Sequence, residues 1–244
     1  MSQTASYWSV TLFGEKMSNI EVLYKSNNAL VIYKPVGIPS QPDPSGDKDA
    51  MTLASELLLH LGERNNLWLI HRLDRNVSGV MVFARNKRTA AELSEIVKVR
   101  LLTKKYVAIV EGDAEGGELS DLLYKDSRVS KAFVVDRKRE GVKEARLSYR
   151  KIATADTPRG KRTLISVLLE TGRFHQIRAQ LSHRHNPILG DGKYGSREKL
   201  AQGIALSACK LEIELSSEKI SVTRLPDTTE YPWSVFDRED YERV

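Results

Sequence analysis

The sequence predicts an α+β fold built on a mixed, largely antiparallel sheet flanked by helices. Short β-branched runs with tight connections outnumber the helical stretches, and they lack the strict strand-helix alternation of a doubly wound fold. No internal repeat, low-complexity tract or interdomain linker interrupts them. With 41% hydrophobic residues in 244, the chain can bury a sizeable core, and one domain over residues 20–244 is the economical expectation. Residues 1–19 are expected to be a disordered N-terminal extension, because the well-patterned chain begins only after Met17.

Each element has its own signal. Ile20–Tyr24 and Ala29–Tyr33 are apolar, β-branched runs separated by Lys-Ser-Asn-Asn, which reads as a hairpin. Pro35, Pro39, Pro42 and Pro44, with Gly37 and Gly46, then break regular structure into a surface loop. From Met51 onward Leu53, Leu57, Leu58 and Leu61 follow a helical period, and Gly62 sits where a C-terminal cap belongs. Leu67–Ile70 and Val80–Ala84 read as strands flanking a polar bend, His71 to Gly79, at the mouth of a sheet.

Thr89 to Lys98 carries Ala90, Leu93, Ile96 and Val97 at helical spacing, and a strand follows from Tyr106 to Val110. Later strands are expected around Arg128–Val135, Ala145–Ile152, Thr163–Glu170, Ile204–Leu215 and Ile220–Thr223. A helix starting near His175 and running through Leu181 places Ile177 and Leu181 on one face.

Composition narrows the classes of function. A net charge of +6 favours a polyanionic partner. The single cysteine, Cys209, excludes an intramolecular disulfide and any multi-cysteine zinc site, which fits a reducing compartment and makes the cytoplasm the expected location. No apolar run approaches a membrane span, and no Walker-type loop or dinucleotide fingerprint occurs. Neither a nucleotide cofactor nor a metal is expected. His175, His183 and His185 lack an acidic companion before Asp191, and Arg178 and Arg184 beside them would repel a cation.

Three stretches can carry chemistry. In H-R-L-D-R-N-V-S-G, His71 to Gly79, the carboxylate of Asp74 sits between Arg72 and Arg75, and neighbouring guanidiniums favour its ionised form. The same residue could equally form an Asx-turn with Asn76 or Ser78. T-G-R-F-H-Q-I-R, Thr171 to Arg178, places Arg173 at a strand end, where it can meet an anion or pair with Glu170. T-K-K-Y, Thr103 to Tyr106, starts a strand with a phenol.

Taken together, these stretches resemble the RluA family of pseudouridine synthases. I-E-V-L-Y-K-S-N-N-A-L-V-I-Y-K-P-V-G-I-P resembles that family's first hairpin and loop, and H-R-L-D-R-N-V-S-G-V its signature. T-K-K-Y-V-A-I-V-E-G resembles its tyrosine strand, while T-G-R-F-H-Q-I-R-A-Q-L and H-N-P-I-L-G-D-G-K-Y-G resemble its C-terminal motifs. The likeness runs in the same order from Ile20 to Leu215, which is far more specific than any one motif.

The resemblance implies a pseudouridine-synthase-like fold with a central active-site cleft and isomerisation of a uridine in ribosomal or transfer RNA. It makes Asp74 the catalytic aspartate, Tyr106 the aromatic against the target base and Arg173 the ion-pair partner of Asp74. Arg72 resembles the arginine that enters the RNA when the uridine is extruded, filling the vacated stack. His71, Gln176, Ile177 and Arg178 fall in the same two motifs and are assigned to substrate binding. Asp74 would attack the sugar's anomeric carbon or assist deprotonation of the sugar, and the residues leave both open.

Val77, Phe174 and Ser207 depart from the family's usual residues, but none occupies a proposed catalytic position. The partners implied are RNA alone, with no membrane, and a monomer is expected. A catalytically silent RNA-binding assembly factor of the same fold is the alternative, and a hydrolase using Asp74 with His71 is a second.

Overall fold

The strand and helix signals translate into structure by burial. The computed structural model describes residues 20–244 together with 11–12 and 15–16. β1 (Thr11–Leu12) and β2 (Glu15–Lys16) pair antiparallel. The remainder of the expected N-terminal extension lies outside the described residues.

The first hairpin forms as β3 (Glu21–Lys25) and β4 (Ala29–Lys34), antiparallel with an irregularity between Val22 and Tyr24. α1 (Ala50–His60) follows the proline loop, and the Asp49 carboxylate caps it by accepting the N–H groups of Met51 and Thr52. β5 (Trp68–Leu69) and β6 (Ser78–Ala84) flank the polar bend as expected. All of β6 is buried, which explains its unbroken apolar run. α2 (Lys87–Lys98) begins two residues earlier than Thr89, because the Asn86 side chain caps it by accepting the Thr89 N–H at 2.8 Å.

β7 (Thr103–Glu111) is followed by β8 (Gly116–Asp126), a strand that the sequence did not suggest. β9 (Lys131–Val135), β10 (Val142–Thr157), β11 (Gly160–Leu169) and α3 (Gln176–His183) come next, then a 3-10 turn at Gly192–Tyr194. β12 (Leu206–Glu214) and β13 (Lys219–Thr223) form a hairpin, and a 3-10 turn at Trp233–Val235 and α4 (Arg238–Glu242) close the chain. Among the described residues no helix is long and apolar enough to cross a membrane.

The chain divides into two compact units. The first comprises residues through Leu102 with Lys210–Arg224. Its strands run β3-β4-β6, with β5 also on β6, and its core gathers Val31, Val82, Leu93, Leu211, Ile213 and Ile220, so that α2 covers β6 through Leu93. The second comprises Thr103–Cys209 with Leu225–Val244, and its strands run β7-β11-β10-β8-β9 with every neighbour antiparallel. Here α3 lies against β8 and β9, and Leu123, Ala132, Ala145, Ala179 and Tyr194 pack together.

α3 is buried from Gln176 through Leu181, so its polar residues must be paired. Arg178 meets Asp191 through two hydrogen bonds, Nε to Oδ2 at 2.7 Å and Nη2 to Oδ1 at 2.9 Å, while its guanidinium lies 5.0 Å from the Tyr194 ring. Asp121, on β8, receives Gln180 Nε2 at 2.7 Å and both terminal nitrogens of Arg184.

Candidate active site

In the first unit the residues around Asp74 are held by the loop that follows β4. Ser40, buried, donates its hydroxyl to the Leu73 carbonyl at 2.7 Å and accepts the Leu73 N–H at 3.0 Å. Gly37, at φ +89° where a side chain would be strained, donates its N–H to the Arg75 carbonyl at 2.8 Å. Asp74 is thereby fixed on both flanks, and its own carbonyl accepts the Val77 N–H at 3.0 Å to close the turn.

The loop itself hangs on Lys34. This side chain is fully buried, and its ammonium donates to the carbonyls of Pro35 at 2.9 Å and Ile38 at 2.8 Å. Burial pushes its pKa down from 10.5 to about 7, against the upward pull of the Asp74 carboxylate. The sequence sets Arg75 beside Asp74, yet Arg75 spends its charge on Asp47, with Asp43 3.8 Å away. Lys34 is thus a buried amine whose charge is felt by Asp74, and sequence reasoning missed it because a lysine before proline reads as the edge of a loop.

A pH dependence follows. Between about 7 and 10.5 the unfolded chain holds a proton on Lys34 that the folded chain has released, so stability from this group rises with pH across that window. Wild type is therefore expected to gain on Lys34→Met by on the order of 1.4 kcal/mol per pH unit as pH rises above about 7, read from urea midpoints. A difference that stays flat from pH 6 to 9 would show that the ammonium is not buried in this way.

Arg72 is exposed. His71 accepts the Val82 N–H on Nε2 at 3.2 Å, which requires a neutral ring with its proton on Nδ1.

In the second unit Tyr106 is 6% exposed and pairs in register with Val167 on β11. Arg173 follows the end of β11, where its Nε donates to the Glu144 carbonyl at 2.8 Å. Glu170, the expected surface partner of Arg173, instead lies 3.7 Å from Arg146. The turn carrying Arg173 is built by Gln176. Its Oε1 accepts the Thr171 hydroxyl at 2.7 Å and the Arg173 N–H at 3.0 Å, and its Nε2 donates to the Arg146 carbonyl at 3.0 Å.

His175 sits in the left-handed region at φ 51°, stacked on Phe174 at 3.8 Å, with its Nδ1 3.0 Å from the Tyr194 hydroxyl. A non-glycine residue in that conformation persists only when its surroundings fix it, as these contacts do. Ile177 is buried at the start of α3. Lys104, two residues before Tyr106 on the same face of β7, brings its ammonium close to Gly172, and burial lowers its pKa. The second unit therefore gathers Lys104, Tyr106 and the Arg173 turn at one end of β7 and β11.

Comparison with known proteins gives this arrangement a family. The family model described as RNA pseudouridylate synthase matches residues 28–183. Over 223 residues the chain is 30% identical to ribosomal large subunit pseudouridine synthase D of Borreliella burgdorferi, covering 87% of this chain and 65% of that protein. The protein of the same name from Xanthomonas campestris pv. campestris is 35% identical over 190 residues, covering 75% of this chain and 54% of the relative. The chain thus spans less than two thirds of the length of these curated relatives.

Among solved structures, human RNA pseudouridylate synthase domain containing 4 superposes with a TM-score of 0.70 at 25% identity, over 88% of this chain and 90% of that one. Human RNA pseudouridylate synthase domain containing 1 gives 0.74 at 23% identity, over 90% and 88%, and supports the fold. The matched segment carries the Asp74 bend, the Tyr106 strand and the Arg173 turn in that order, and the chain belongs to the RNA pseudouridylate synthase family, as its RluA-type motifs imply.

Proposed function

We propose that the chain is an RNA pseudouridine synthase that isomerises uridine in ribosomal or transfer RNA, acting in the cytoplasm as a monomer without cofactor or metal. The observation that carries this reading is a half-buried carboxylate, Asp74, on a bend clamped on both flanks by Ser40 and Gly37. A group held so rigidly suits a reaction that needs one carboxylate at one carbon of a captured nucleotide.

In this reading a uridine leaves its stack, and the exposed Arg72 fills the vacancy with a planar cation. Asp74 acts at the sugar, either on its anomeric carbon or in its deprotonation. The bond from that carbon to the base nitrogen breaks, the base turns, and a bond to a base carbon forms. That base carbon gives up its proton and the freed nitrogen ends protonated, so atoms balance and the RNA keeps its mass. Tyr106 holds the detached base, and Arg173 offsets the charge of Asp74. His71, Gln176, Ile177 and Arg178 contribute to substrate binding, Gln176 by shaping the turn that carries Arg173.

The test is incubation of purified protein with bulk cellular RNA, followed by nucleoside analysis. Pseudouridine is expected to appear at the expense of uridine. Binding without conversion would point to the silent assembly factor, and release of free base or nucleotide to a hydrolase.

A further inference from the structure

A second basic site lies in the second unit, away from Tyr106 and the Arg173 turn. Where β7 ends and β11 begins, a cavity of about 860 Å³ opens among Lys161, His185, Arg197 and Lys199. Glu111 and Arg162, which line it, are register partners, whereas Tyr106 pairs with Val167 further back along the same strands. That separation is five residues of strand, about 17 Å at the rise of an antiparallel ladder. Arg173 follows the opposite end of β11.

Two carboxylates reach this cavity, and both are consumed by its walls. Glu198 is 6% exposed and bonds Arg162 Nη2 and Arg159 Nη1, each at 2.9 Å, and the Tyr231 hydroxyl. Glu111 Oε1 accepts the Ser196 hydroxyl at 2.6 Å and the Arg197 N–H at 3.0 Å. These bonds fix the backbone of residues 196–198 from beneath. They leave Arg197 and Lys199 exposed, with no ion-pair partner among the described residues. His185, exposed and held at φ 62°, and Lys161, 3.4 Å from Asp113, face the same space.

A wall that neutralises its own acids and holds its cations outward is suited to a chain of phosphates. Such contacts add affinity without reading sequence. We propose that this groove is a docking site for the ribose-phosphate backbone of RNA, engaging the substrate at a distance from the nucleotide that reacts. The proposal rests on the assigned RNA substrate and adds where that RNA is held.

The test uses the full chain, a labelled RNA stem-loop and fluorescence anisotropy across a range of salt. Arg197→Glu with Lys199→Glu is expected to weaken binding at least about 10-fold near physiological salt and to flatten the plot of log affinity against log salt by about 1.5, for two lost phosphate contacts. Wild-type affinity and slope in a variant that melts at the wild-type temperature would overturn the proposal. Lysine acetylation of the wild type, with and without the stem-loop, gives a reading independent of the variant's folding. Lys161 and Lys199 should be protected by RNA, and equal labelling in both states also overturns it.

A poly-aspartate peptide that displaces the RNA from wild type at matched charge would reassign the groove to an acidic protein. Failure here leaves uridine conversion intact, whereas failure of conversion with protected lysines leaves the groove standing and removes the assigned reaction.

Discussion

Asp74→Asn is expected to lower pseudouridine formation at least about 1000-fold, while affinity for a substrate RNA stays within a few-fold of wild type. Asparagine keeps the size and hydrogen-bonding reach of the side chain but has no anionic oxygen to attack a sugar carbon or take its proton. The flanking clamps use backbone atoms of Leu73 and Arg75 and the hydroxyl of Ser40, so the bend keeps its shape in the variant. Single-turnover conversion and anisotropy on the same RNA separate the two quantities. Substantial turnover in the variant removes Asp74 from the mechanism, and equal loss of binding and conversion would mean that it acts in capture.

The largest stability effect is expected at the buried pair that ties α3 to Asp191. Asp191→Ala leaves the Arg178 guanidinium buried over Tyr194 without its bidentate acceptor, and breaking a buried pair from one side costs about 3–5 kcal/mol. Arg178 is 4% exposed and Asp191 1%, so water cannot replace the lost partner without opening α3. Urea unfolding should show the loss as a fall in midpoint at unchanged slope. Replacing both, Arg178→Met with Asp191→Leu, should recover most of it, because the cost lies in the stranded charge and not in the missing attraction. A loss below about 1 kcal/mol in Asp191→Ala would contradict the buried geometry.

How much of this was legible in the sequence differs by element. The first hairpin followed from its β-branched runs and turn, α1 from its period and Gly62, and α2 from its period, because these signals are local. β8 was invisible for a physical reason. Of its residues only Leu119 and Leu123 are buried, four apart, a spacing that imitates a helix and not a strand. α4, with five residues, buries only Tyr241 and offers no apolar period at all.

The candidate site divides in the same way. Asp74, Tyr106 and Arg173 were named from residue type and motif order, since reaction chemistry restricts which side chains can serve. Their supports were not. Lys34 lies 40 residues from Asp74 and Ser40 lies 33 from Leu73, and nothing local marks a lysine or a serine in a proline-rich loop as buried. Arg75, beside Asp74 in sequence, is turned to Asp47 in space.

The sequence alone determined the class of fold and the family, and it named the candidate side chains, because hydrophobic period and ordered motifs are written along the chain. The tertiary structure alone decided which charges are paired and which stand exposed. The Arg178 guanidinium is held by Asp191, while Arg197 and Lys199, unremarked in sequence, line an open groove. Charge neutralisation depends on distances between residues far apart along the chain, and only folding sets those distances.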